Sequence, residues 1–172
     1  MEKEPGLSKR AAFAGIFVAA ALILGYVESL IPFNFGVPGI KLGLANLAVV
    51  SGLYLLKLPD VLLISLVRVV ISGLLFGNLM SVVYSLSGAV LSFAVMVLLK
   101  KTGKFSIVGV SLAGGVFHNT GQILTGMIVT AVPALIYYLP VLIGTGILTG
   151  IVMGLISGRV LKSVSKNMNL FV

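Results

Sequence analysis

The chain has 172 residues, 59% of them hydrophobic and only 9% charged, with a net charge of +8 and a mean hydropathy of +1.21. A soluble globular domain carries about a quarter of its residues as charges, so that class is excluded and an integral membrane protein is expected. With no cysteine, one histidine and four acidic residues, disulfides, thiol catalysis and a metal or cofactor centre have almost nothing to be built from, and the basic residues lie between apolar runs rather than in a nucleic-acid-binding patch.

Residues 1–10 form a polar segment with Lys3, Lys9 and Arg10, followed by an apolar run from Ala11 to Ile31. About 20 apolar residues suffice to span a bilayer. Five further apolar runs follow, so this one reads as a retained first helix and not as a cleaved signal. Ala11, Gly15 and Ala19 recur every four residues and form a small-residue ridge that lets another helix approach closely. The spacing leaves open whether that helix belongs to this chain or to a partner. Glu28, near the far end of the run, either reaches the interface or pairs with a cation inside the bundle. The segment Pro32 to Ile40 contains Phe33, Asn34 and Phe35 among prolines and glycines, and reads as an ordered external loop able to close over a pocket.

The second run, Leu42 to Leu56, is short and opens with Lys41-Leu42-Gly43-Leu44-Ala45-Asn46. Such a helix does not cross the bilayer alone, and its end is expected to border a cavity. Lys57, Pro59 and Asp60 are read as a tight turn before a third span over residues 60–76, which carries Arg68 near its midpoint. An arginine at that depth costs at least about 2.5 kcal/mol on insertion scales, so it should face inward and be paired. Glu28 is the carboxylate within reach; their pairing would either pin two helices or serve a site.

The fourth span, residues 79–99, ends in Lys100, Lys101 and Lys104, and its serines, Ser81, Ser85 and Ser92, read as ordinary packing residues. The fifth, residues 107–132, holds His118, Asn119 and Gln122 in an otherwise apolar run. His118 and Gln122, four apart, share a helical face. An unpaired imidazole or amide in hydrocarbon costs several kcal/mol. These side chains therefore bond between helices or face a substrate cavity. A loop from Pro133 to Pro140 carries the interfacial pair Tyr137 and Tyr138. The sixth span, residues 141–160, contains Gly144, Gly146, Gly150, Gly154 and Gly158, the last four at intervals of four, and a basic tail occupies residues 161–172.

If the N-terminus is cytoplasmic, Lys3, Lys9, Arg10, Lys57, Lys100, Lys101, Lys104, Arg159, Lys162 and Lys166 all fall on that side, with Lys41 outside and Arg68 in the membrane. Positive charge concentrates on the cytoplasmic face, so the expected architecture is an all-α bundle of six transmembrane helices, a single domain in the cell membrane with both termini cytoplasmic. Glu28, Asn34, Lys41 and Asn46 then lie in the outer half, with Arg68, His118, Asn119 and Gln122 near the middle. Together they form a candidate substrate-binding set for a polar or anionic organic molecule.

The ridge on helix one, the Lys41 to Asn46 motif after its loop, and Phe117-His118-Asn119 with Gln122 resemble the Gx transporter family over nearly the whole chain. That family is also labelled heptaprenyl diphosphate synthase component I, and it is similar to the substrate-binding S components of energy-coupling factor vitamin transporters. The resemblance implies a non-enzymatic subunit that takes a vitamin-like small molecule from outside. It further implies assembly with a transmembrane coupling subunit and ATP-binding cassette ATPases, with Ala11, Gly15 and Ala19 at the docking positions. Glycine stands there at the family's central alanine.

The synthase label meets a chemical objection, because prenyl transfer needs carboxylate clusters that hold Mg²⁺ against a diphosphate, and this chain has one aspartate and no paired acids in its apolar runs. Catalysis by the chain alone is not expected. A non-catalytic accessory of a polyprenyl diphosphate synthase remains an alternative to the transporter subunit. A purely structural membrane subunit is the third, and it requires the polar cluster to be a dry network.

Overall fold

The computed structural model describes residues 7–31 and 42–167, which form six α-helices and a short 3-10 helix. The helices are α1 (Leu7–Leu30), α2 (Leu44–Leu55), α3 (Leu58–Phe76), α4 (Leu79–Thr102), α5 (Ile107–Thr130) and α6 (Leu139–Asn167). The segment Pro133–Tyr138, expected as a loop, is the 3-10 helix.

Local chemistry sets these boundaries. The turn expected at Lys57 to Asp60 is already the start of α3, since proline in a first turn has no helical partner to lose for its missing N–H and Asp60 favours the positive end of the helix dipole. Asn78 opens α4 with a reciprocal cap: its side chain accepts from the Ser81 N–H at 2.8 Å, and Ser81 Oγ accepts from the Asn78 N–H at 3.1 Å. Gly103 closes α4 at φ +66°, a conformation that glycine adopts without a Cβ clash. Ser106 caps α5 by accepting from the Gly109 N–H at 3.2 Å. The basic tail expected from residue 161 instead continues α6 as helix to Asn167.

Four stretches, Arg10–Leu30, Leu58–Phe76, Leu79–Thr102 and Pro133–Val164, are long and apolar enough to cross a membrane, so this is a multi-pass membrane protein. α2 is too short, at 12 residues. α5 has the length but not the hydropathy, because its polar cluster and glycines dilute the apolar run. Of the six spans expected from sequence, all six exist as helices, and four qualify by length and composition.

Glycine contacts bring α4, α5 and α6 together. A Cβ on Gly146 would sit 2.9 Å from the Gly115 carbonyl carbon, and one on Gly121 would sit 2.9 Å from the Gly88 Cα. In hydrocarbon, where apolar burial gives no advantage over lipid, such backbone approach supplies the van der Waals contact that holds helices together. Gly150 and Gly154 also pack on α5, against Leu112 and Val108, whereas Gly158 faces open space. The core joins Val49, Val50 and Leu53 of α2 to Val61, Met96 and Val110.

The short helix α2 is thus central, and α1 is peripheral. Among the described side chains of α1 only Ala21 is buried. Ala11, Gly15 and Ala19 are exposed, and a Cβ on Gly15 would meet nothing within 4 Å. Of the two alternatives left open by their spacing, packing within the described chain is not what this ridge does. α1 is held by Arg10, whose Nη2 donates to both Asp60 carboxylate oxygens, at 2.9 and 3.0 Å.

Candidate functional site

The polar residues of the helices converge on a cavity of about 350 Å³. Glu28 reaches it from α1, Asn46 from α2, Arg68 from α3, and His118, Asn119 and Gln122 from α5. Six of the eight candidate binding residues therefore line one space. The other two, Asn34 and Lys41, lie outside the described residues, as do Phe33 and Phe35.

Glu28 does not make the expected direct pair with Arg68. Its Oε1 accepts from the Gly43 N–H at 2.8 Å and its Oε2 from the Leu44 N–H at 3.1 Å. The first N–H groups of a helix have no partner within it and carry the positive end of its dipole, so a carboxylate within reach is drawn to them. Gly43 enters α2 at φ +75°, which turns both N–H groups toward one acceptor. Both oxygens of Glu28 are thereby occupied, and the Arg10–Asp60 pair is the salt bridge found among the described residues.

Arg68 is left differently placed. Its Nε is buried with no hydrogen-bond partner among the described residues, and so is the hydroxyl of Ser72, one turn further along the same wall of the cavity. Buried polar groups without partners are rare because each forfeits its hydration, and a charged one forfeits most.

The α5 amides are partly engaged. Asn119 Nδ2 donates to the Leu142 carbonyl at 2.7 Å and to Thr145 Oγ1 at 3.5 Å, which ties α5 to α6. Gln122 Nε2 donates to Ser85 Oγ at 3.2 Å, tying α5 to α4. His118 fits because Gly88 has no side chain: a Cβ there would lie 2.6 Å from the His118 carbonyl oxygen and 3.2 Å from its Nδ1. Asn119 and Gln122 thus both tie helices together and line the cavity.

Sequence reasoning missed Ser72 and Thr149 and took Ser85 for a packing residue, yet all three line the cavity. Ser72 was findable, being four residues after Arg68 and so on its face. Nothing in the local sequence marks Thr149 or Ser85, which depend on how α4 and α6 dock. A second hollow, of about 330 Å³, lies between α1, α2 and α6 and is lined by apolar groups such as Phe13, Phe17, Leu47 and Leu55. Among the described residues no three His, Cys, Asp or Glu side chains come together as a metal site would require.

Residues 17–160 match the family model for heptaprenyl diphosphate synthase component I. No curated protein matches the chain, and no solved structure matches it. The family match covers most of the sequence, and the chain belongs to that family.

Proposed function

We propose that this member of the heptaprenyl diphosphate synthase component I family is a non-catalytic membrane subunit whose cavity binds a small anionic organic molecule, and that it serves a polyprenyl diphosphate synthase as its membrane accessory. One observation carries the binding role: Arg68 lines a cavity of ligand size with its Nε buried and unpartnered. Pockets for small ligands run from about 300 to 1,000 Å³ and combine apolar walls with a few convergent polar groups. An incoming anion would provide the acceptor that Arg68 Nε lacks, and a guanidinium favours a carboxylate or phosphate.

The accessory role has the support of the family description. The positions of the described acids support the non-catalytic part. Glu28 caps α2 and Asp60 holds Arg10, so neither described acid is available to hold Mg²⁺ against a diphosphate.

A second reading, the substrate-capturing subunit of an energy-coupling factor type transporter, has its own support in the exposed ridge of Ala11, Gly15 and Ala19. In that reading the cavity takes its molecule from outside, and the ridge docks a transmembrane coupling subunit driven by ATP-binding cassette ATPases. Affinity purification of the full chain from its native membrane, in mild detergent, separates the two. Recovery of a soluble prenyl synthase supports the accessory role; recovery of a coupling subunit with ATPases supports the transporter.

A further inference from the structure

The binding reading above leaves the character of the ligand open, and the hydrogen bonds around the cavity narrow it. We infer that the ligand carries an anionic group for Arg68 and, away from it, an N–H or O–H donor for the side-chain oxygen of Asn119.

The donor requirement comes from the direction of one amide. Asn119 lies 2.7 Å from the Leu142 carbonyl oxygen, which can only accept, so the group facing it must be Nδ2 and not Oδ1. Thr145 Oγ1, which donates to the same Leu142 carbonyl at 3.0 Å, lies 3.5 Å from Nδ2 on that side. The amide nitrogen of Asn119 is thus turned to α6 and its oxygen away from it. Its Oδ1 accepts nothing from the described residues, and Asn119 lines the cavity. The α5 wall thus presents an acceptor, Asn119 Oδ1, to the ligand.

The opposite chemistry lies on α3. Arg68 presents donors and a positive charge, it makes no salt bridge with a described residue, and Ser72 adds an unpartnered hydroxyl one turn away. α3 packs on α1, α2 and α4, α5 packs on α4 and α6, and both line the cavity. Glu28, whose oxygens each accept one backbone N–H at the start of α2, also lines the cavity. A molecule with an acid at one end and a donor at the other satisfies both walls; one with two anionic ends leaves the Asn119 oxygen facing an anion. The volume of about 350 Å³ limits the buried part to a compact group of one or two rings.

The test uses three probes of nearly equal shape on the full-length protein in lipid nanodiscs, followed by calorimetry: 4-hydroxybenzoate, benzoate, which lacks the donor, and 4-hydroxybenzamide, which lacks the charge. The inference predicts that 4-hydroxybenzoate binds about tenfold more tightly than either of the others, the size of effect expected when one buried hydrogen bond or charge goes unmatched. Arg68→Gln should abolish the preference for acid over amide and keep the preference for the hydroxyl; Asn119→Ser should do the reverse. Because the first comparison needs no variant, poor folding of either variant leaves it standing. Equal binding of the three probes, tighter binding of the amide, or no binding of any at millimolar concentration overturns the inference. If the protein nevertheless retains a native small molecule on purification, the binding role survives and only this account of its ligand fails.

Discussion

Glu28 Oε1 accepts the backbone N–H of Gly43 at 2.8 Å, so a carboxylate at the end of α1 closes the first turn of α2. The contact explains how a 12-residue helix starts inside the bundle with its first two N–H groups satisfied, and why Glu28 makes no salt bridge with Arg68.

Glu28→Ala should therefore destabilise the protein by about 1–2 kcal/mol, the cost of leaving part-buried N–H groups unpaired, and Glu28→Gln by less, since its amide oxygen still accepts one bond. Thermal unfolding in detergent, followed by circular dichroism, reads both. The Glu28 charge also acts on Arg68, so Glu28→Gln and Arg68→Gln should couple in a double-mutant cycle; effects that add to within about 0.5 kcal/mol would remove that interaction.

Arg10 and Asp60 join α1 to α3 through bonds from Nη2 at 2.9 and 3.0 Å, with side chains 31% and 23% exposed. Partial exposure to solvent screens the pair, so a double-mutant cycle of Arg10→Ala and Asp60→Ala should give a coupling of about 0.2–1 kcal/mol. The charge-reversed pair, Arg10→Asp with Asp60→Arg, should recover most of the loss; no recovery would mean that the contact does not position α1.

Glycine substitutions should divide sharply. Gly146→Ala places a methyl 2.9 Å from Gly115 and Val116 backbone atoms of α5, and should cost about 1–3 kcal/mol through overpacking. Gly158→Ala meets nothing within 4 Å, and should be neutral or stabilising by up to about 1 kcal/mol through helix propensity. Similar unfolding temperatures for the two variants would contradict the close α5 to α6 contact.

The contrast between those glycines shows how far the sequence could be read. Repetition every four residues marks a helical face, and Gly146, Gly150 and Gly154 do face α5, but the pattern carries no sign of where the partner helix ends, so Gly158 was indistinguishable from them. Hydropathy found all six helices. It ended α6 too early because five of residues 161–167 are polar, and local hydrogen bonding sustains a helix beyond its apolar part. Arg68, His118, Asn119 and Gln122 stood out because polar groups are costly in an apolar run, and the fold brings them to one cavity. The partner of Glu28 was not legible in this way: charge balance pointed to Arg68, while backbone N–H groups, which every sequence has and no sequence displays, took the carboxylate.

The exposed face of α1 gives a further prediction. Ala11→Leu, Gly15→Leu and Ala19→Leu point away from the bundle and should leave the unfolding temperature and ligand retention unchanged. If a partner docks there, the same variants should lose it on affinity purification, because bulk at a small-residue face blocks close approach. Full recovery of the partner with all three in place would remove this face from the assembly.

The central claim is that the cavity around Arg68 holds a small anionic molecule, and native mass spectrometry of the gently purified protein tests it most directly. The account predicts a bound organic acid or phosphate on the wild-type chain, lost from Arg68→Gln while the helical content stays the same. A wild-type chain that carries no such molecule, or an Arg68→Gln chain that carries it at the same occupancy, would contradict it.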